Sequence, residues 1–417
     1  MSERKPAREA YDVELDIGGD PNGSGCFGFA LIKLAYRINV RKGILEPMPA
    51  VALENDFRNE NLSPRLPAHS DFWPYKKFTD VGVIGSAYTP KDHAVEKMLA
   101  GVEISGQKRQ IMVLGDRVVK FEHGGRPRLS RPSAFEKMPM SIQRAYGGCD
   151  FRVPFDKKDP RSLCVTLDCD FPGLYPRNPW GTGYLVLPDP IEDMKLPNLE
   201  DPEDLLTDES IITGDPAEWY QQPLPAYLDW MPVNCFPRNL FLAIECDPWF
   251  PPPDDQRLKE VQRGFLPNGF REHLKDQHFG MPPHLRFRQE SSHGLMMKKD
   301  ILNSEVRIHG MHPKHHEMVF QLPGNHPSVE MKIENQREQV QPGLSAVTVY
   351  PDKEMVCMTY TVSMTSPRPF IPGIHKHIPL AVSVNGDRAV KYRPPDTVND
   401  RLVAAKAKQQ QSEARTK

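Results

Sequence analysis

The residues best suited to chemistry in this chain are the histidines of His309-Gly310-Met311-His312-Pro313-Lys314-His315-His316, followed directly by Glu317. Imidazole is the commonest metal-ligating side chain, so the run suits a metal-dependent hydrolase built on His312, His316 and Asp168. The spacing opposes that reading. His312 and His316 share a face only on a helix, and Pro313 stands between them. The flanking residues read as strand, turn, strand, so a solvated turn is expected. Asp168 and Asp170 could grip a cation at i and i+2, but magnesium sites usually need further ligands or phosphates. The seven cysteines, Cys26, Cys149, Cys164, Cys169, Cys235, Cys246 and Cys357, are odd in number and contain no Cys-x-x-Cys. Nothing pairs Cys149, Cys164 or Cys169 with a base, and free structural thiols are the expectation. Ser291-Ser292-His293 sets a hydroxyl beside an imidazole without a third, orienting group, and reads as loop. Gly18 to Gly23 is glycine-rich but lacks the Lys-Ser/Thr of a phosphate loop and precedes a strand, so it reads as a turn. No catalytic residue, cofactor or metal ligand is assigned.

The elements that must position any site are strands. Proline accounts for 43 of 417 residues, about twice the average usage near 5%. Proline is excluded from helix interiors and central strands, and its spread along the chain favours short strands joined by stiff loops. Residues 27–40 alternate, with Ile32, Leu34, Tyr36, Ile38 and Val40 on one face and Lys33, Arg37 and Asn39 on the other. That is the pattern of a half-buried strand. Strands are also expected at 80–87, 117–121 and 239–246, with a hairpin from Val102 to Leu114 turning at Ser-Gly-Gln-Lys. The last third adds 306–309, 318–322, 329–333, 344–350, 354–362 (buried on both faces) and 380–384. Short helices are expected within 133–146, capped by Ser133 with Glu136, and at 254–262.

The expected fold is mostly β, with antiparallel sandwich-like sheets, long Pro-rich loops, a few short helices and a basic, helix-prone tail. Residues 1–24 read as a flexible lead-in, 25–392 as one large domain with a subdivision near 250–295, and 393–417 as the tail. The net charge of −2 gives no bulk drive toward nucleic acid or an anionic membrane. The first residues lack an apolar signal core, and no run approaches the roughly 20 apolar residues of a membrane span. With free thiols, a cytoplasmic location is expected.

The densest turn chemistry lies between Ser133 and Glu200, where Gly147-Gly148 and Asn178-Pro179 mark stiff loops. Downstream, residues 189–218 hold eleven acidic residues and one basic residue, Lys195, and should form a solvent-facing acidic loop. Tryptophans beside Pro or Gly either anchor a partner protein or close the ends of a β-sandwich. The candidate partner-binding residues are therefore Trp180, Trp219 and Trp230 with Glu200, Asp201, Glu203 and Asp204.

The order of these blocks resembles a known family. The blocks are DVGVIGSAYTP at Asp80 to Pro90, LGDRVVKF at Leu114 to Phe121, FEKMPMSIQRAYGG at Phe135 to Gly148, NPWGTGY at Asn178 to Tyr184, LPNLEDP at Leu196 to Pro202, WMPVNCFPR at Trp230 to Arg238 and HGMHPKHHEMVFQLPG at His309 to Gly324. They look like the effector-loading adaptors of bacterial type VI secretion, a domain of unknown function encoded beside effector, spike and PAAR genes. The resemblance implies a cytoplasmic, chaperone-like protein of a Gram-negative bacterium. It would bind a toxic effector and help mount it on the valine-glycine-repeat spike or its PAAR tip, with no catalytic residue. The alternatives are the metal-dependent hydrolase above and a carbohydrate-binding β-sandwich using Trp180 and Tyr184.

Overall fold

Period-2 alternation builds most of what is seen in a computed structural model of the chain. The structure describes residues 11–19, 25–53, 71, 76, 78–90, 93–121, 125–153, 173–175, 177–187, 191, 193–215, 219, 221–232, 289–369 and 378–392. The expected strand at 239–246, the helix at 254–262 and the basic tail lie outside these residues. So do Trp73, Trp249, Asp168, Asp170, Cys164, Cys169, Cys235 and Cys246. The architecture is mostly β with several antiparallel sheets. No described helix is long and apolar enough to cross a membrane.

The chain divides into two compact units that interleave along the sequence, where the sequence suggests one body over 25–392. The first comprises residues 1–12, 32–326 and 344–360, and the second residues 13–31, 327–343 and 361–417. The boundaries fall inside two long strands, Gly25–Asn39 and Met355–Pro369.

The first unit contains a five-stranded antiparallel sheet in the order Leu199–Glu200, Gln107–Leu114, Lys97–Ile104, Glu305–His309, Glu317–Gln321. The expected hairpin is its centre. Ser105 and Gly106 both have positive φ, at 51° and 77°, the pattern of the tight turn whose twist matches a two-stranded ribbon. Ala100, Val102, Ile104, Ile111 and Val113 alternate into the core. A second sheet runs Gly25–Asn39, Met355–Pro369, Gly343–Tyr350, Thr79–Val83, Met296–Met297, with Ile44–Pro47 paired to the first of these. Thr79–Val83 pairs in parallel with Gly343–Tyr350. Thr79–Val83 and residues 345–350 are buried on both faces, so their polar residues Thr79, Asp80, Ser345 and Thr348 are interior along with the apolar ones. The second unit contains the antiparallel sheet Gln336–Val340, Val329–Ile333, Leu380–Val384, Val390–Lys391.

All six strands expected in the last third are present, and residues 356–360 are buried as expected. Three expectations fail for identifiable reasons. Within the expected lead-in, Tyr11–Gly19 is not loose but a strand beside Gly25–Asn39, and Tyr11, Leu15 and Ile17 supply the alternating buried face. The helix within 133–146 is replaced by extended chain. Phe135 bridges Val95, Lys137–Pro139 pairs with Ser86–Tyr88, and only a 3-10 turn forms at Ile142–Arg144. Tertiary pairing wins there, because the Ser133 N–H donates to the Asp116 carbonyl instead of opening a helix. The strand expected at 80–87 breaks after Val83. Ile84 then donates to the Val349 carbonyl, and the Gly85 carbonyl accepts from Met140, so the chain changes partner.

Lys33 corrects the half-buried reading of its strand. It is 1% exposed, and its ammonium meets the Asp71 carboxylate at 2.8 Å and the Ala52 carbonyl at 3.2 Å. The hydroxyl of Thr359 donates to the same carboxylate. Alternation marks faces; it does not say that the polar face meets water.

Two measurements test these packing assignments. Lys33→Ala removes the ammonium from a buried carboxylate and is expected to cost about 3–5 kcal/mol in denaturant unfolding. At Gly82 a Cβ would stand 2.5 Å from the Trp230 ring, so Gly82→Ala should destabilise by about 1–3 kcal/mol through overpacking. Wild-type melting of either variant would contradict the assignment it probes.

Candidate functional site

The Gly-, Pro- and Asn-rich blocks between Ser133 and Glu200 converge into one knot in the first unit. Tyr146-Gly147 lies parallel to Thr182-Gly183, and Ala145 bridges Leu199 in parallel. Leu199–Glu200 then joins the edge of the five-stranded sheet beside Val113 and Met112. Three loop segments therefore meet with little regular secondary structure. Their backbone groups need other partners, because a buried unpaired peptide group costs about 1–3 kcal/mol.

Two asparagines supply those partners. Asn178 is fully buried, and its amide donates to the carbonyls of Ile142 at 2.8 Å and Tyr146 at 3.1 Å. Asn198 donates to the Leu114 carbonyl at 3.1 Å and to Asp116 at 3.0 Å, and it accepts from Arg144 at 2.7 Å. Gly147 and Gly148 have φ of 150° and 99°. Cβ atoms there would collide with Asn178 and with the Gly181 carbonyl, so the double glycine is required by approach as well as by conformation.

Charged groups close the knot. Glu200 is ion-paired with Arg117 and accepts from the Leu206 N–H at 3.0 Å. Arg117 also donates to the Pro197 carbonyl at 2.9 Å. Burial pushes the Glu200 carboxyl above the usual carboxylate range, and the pull of Arg117 does not offset it. Asp201 holds Arg109 at 2.8 Å. Asp150 is contacted by Arg152 and by the N–H groups of Val186 and Leu187 at 3.0 and 3.1 Å. Burial alone would raise its carboxyl, but these donors hold it below the usual range. Behind the loops lies an aromatic cluster. Tyr146, Tyr175 and Tyr184 pack with ring centroids 5.2–6.3 Å apart. The fully buried Arg177 guanidinium lies 5.0 Å from the Trp219 ring and donates to the Tyr175 hydroxyl at 3.0 Å.

A separate buried charge cluster lies beside the parallel strands. Lys76 meets Asp80 at 3.0 Å and Glu290 at 3.1 Å, and its ammonium sits 5.5 Å from the centre of the Trp230 ring. Burial disfavours this ammonium, but Glu290 and Asp80 outweigh it and hold Lys76 above the usual lysine range. Asp80 also accepts from the Ser291 hydroxyl at 2.8 Å and the Glu290 N–H at 2.8 Å. Ser291 thus serves a buried carboxylate from within a loop.

The sequence-chosen partner residues divide. Glu200 and Trp230 are buried, and Trp219 is half-buried against Tyr175, so these three serve the interior. The acidic stretch is accordingly no continuous solvent loop: residues 196–200 are core. Trp180, Asp201 and Asp204 are partly exposed and Glu203 is exposed. Near them in sequence are the exposed Glu209 and the apolar Leu205, 42% exposed. Leu205 was missed because a single leucine in an acidic run looks unremarkable. Tyr184, the candidate sugar-stacking ring, lies in the aromatic core.

The histidine run is the expected strand, turn, strand. His312, however, is buried, and its Nδ1 accepts from the N–H groups of Lys314 and His315 at 3.1 and 3.0 Å. Its Nε2 lies 3.3 Å from Glu354. Burial, and then His315 stacked beside it, lower the His312 pKa below the usual range despite Glu354. Among the described residues no group of three or more His, Cys, Asp or Glu side chains is placed to hold a metal.

A family model described as an uncharacterised protein conserved in bacteria, DUF2169, matches residues 28–361. No curated protein matches the chain, and no solved structure matches it.

The site yields two expectations. Asn178→Ala strips two short backbone hydrogen bonds from the knot and should cost about 2–4 kcal/mol by chemical denaturation. His312, Asp150 and Asp201 are held below their ordinary pKa, so at these three groups the folded state binds fewer protons than the unfolded one as pH falls, while the raised Glu200 acts in the opposite sense. Stability is therefore present above the unfolded pKa and is lost toward acid, first through His312 below about pH 6.5 and then through Asp150 and Asp201 below about pH 4. Asp150→Asn should lower stability at pH 7 and flatten the decline below pH 4. An unchanged slope would refute that role for Asp150.

Proposed function

The chain belongs to the DUF2169 family of bacterial proteins, and from that premise we propose that it is a non-catalytic adaptor. It holds a type VI secretion effector and helps load it onto the spike, through either the valine-glycine-repeat trimer or the PAAR tip. The observation that carries this reading is the use of the signature residues. Asn178, Asn198, Arg144, Arg117 and Glu200 bond to one another and to neighbouring backbone. They make a stiff platform. Attached to it is a turn that presents Glu203, Leu205 and Glu209 outward. An exposed apolar side chain flanked in sequence by acids suits reversible protein docking: the apolar contact adds grip, and the charges speed encounter with a basic cargo surface. Trp180, half-exposed on the Asn-Pro-Trp-Gly loop, adds an aromatic anchor.

Co-purification of the full chain with the toxin encoded beside its gene tests this reading. Trp180→Ala, and separately Glu203→Lys with Leu205→Ala and Glu209→Lys, should each reduce recovery at least tenfold without lowering the melting temperature. Undiminished recovery with both variants would remove the proposed surface. Stoichiometric zinc or manganese in the purified protein would favour the hydrolase instead.

A further inference from the structure

A groove of about 570 Å³ opens in the first unit between the 105–108 hairpin turn and residues 293–301. Its charged lining is basic: Lys108, Lys298 and Lys299, all exposed. The nearest acids in sequence or register are Glu103, opposite Lys108, and Asp300, yet none of the three lysines makes an ion pair among the described residues. The Asp300 carboxylate instead caps the Leu302 N–H at 2.9 Å. Three neighbouring ammonium groups raise one another's energy, and an anionic occupant relieves that repulsion. The apolar part of the lining is Met296, Met297 and Ile301, with the methionines offering adaptable contact surface.

The backbone gives the groove a direction. Among the described residues Met296–Met297 pairs with Thr79–Val83 on one side only and stands last in its sheet. An end strand offers free peptide groups to an incoming chain. The hairpin side is fixed: the Gln107 side chain donates to the Gly294 carbonyl. The mouth is open, since no atom lies within 4 Å of where a Cβ on Gly106 would stand.

We propose that this groove binds an acidic, extended segment of a partner protein, laid as an added strand beside Met296–Met297 with its carboxylates on Lys108, Lys298 and Lys299. Nucleic acid shares the negative charge, but single strands are gripped by stacking on successive large aromatic rings, and among the described residues this lining has no Phe, Tyr or Trp and one imidazole, His293. The inference stands on the groove's own chemistry and does not depend on the cargo reading.

Fluorescence anisotropy with the full chain tests it. The probe is a labelled twelve-residue peptide alternating Glu or Asp with Val or Ile. The comparisons are the same peptide with Lys for each acid, and a single-stranded oligonucleotide of equal charge. The acidic peptide should bind, and binding should weaken as salt rises. Lys108→Glu with Lys298→Glu and Lys299→Glu should weaken it at least tenfold, and the milder change of all three to Gln at least threefold. Reversing Lys42, Lys314 and Lys332, which are exposed elsewhere, should leave it within twofold. Absent binding, equal loss in the control triple, or tighter binding of the oligonucleotide would each overturn the proposal.

Discussion

The molecule depends on one constraint: polar groups carried into the interior by loops must find partners there. Between Ser133 and Glu200 three segments enter the first unit without forming substantial sheets. Asn178 and Asn198 resolve the difficulty because a side-chain amide can donate to two carbonyls at once, linking segments far apart in sequence. Arg144, Arg117 and Glu200 extend the same logic with charge. The double glycine follows from it too, since the asparagine must come close to backbone.

Buried ionic groups recur elsewhere in the first unit. Lys33 with Asp71, and Lys76 with Asp80 and Glu290, lie where an apolar side chain would pack more cheaply. They fix partners that non-directional apolar packing would leave free. Asp80 shows this well: its two oxygens accept from the Ser291 hydroxyl and the Glu290 amide, which seats the 289–292 loop against a strand more than two hundred residues earlier. Trp230, packed on Gly82 and beneath Lys76, belongs to the same seat.

The exposed acidic turn with Leu205 and the lysine-lined groove beside Met296–Met297 carry opposite charge. On the proposed adaptor reading, surfaces of opposite charge within one unit would steer each partner to its own place.

Period-2 alternation by itself determined the strand content. It placed the 102–114 hairpin, the six C-terminal strands and the doubly buried 356–360 segment, because side-chain direction in a strand is set locally. The same signal was present at Tyr11, Leu15 and Ile17, hidden by the surrounding charge. Proline density determined that loops would be many and stiff. Only the tertiary structure decided which polar residues are interior. Lys33, Glu200 and Trp230 look like surface residues in the sequence and are buried in the fold. Burial of a charge or an indole is decided by whether a partner arrives from a distant segment, as Asp71, Arg117 and Lys76 do. Nothing in a local window records that arrival.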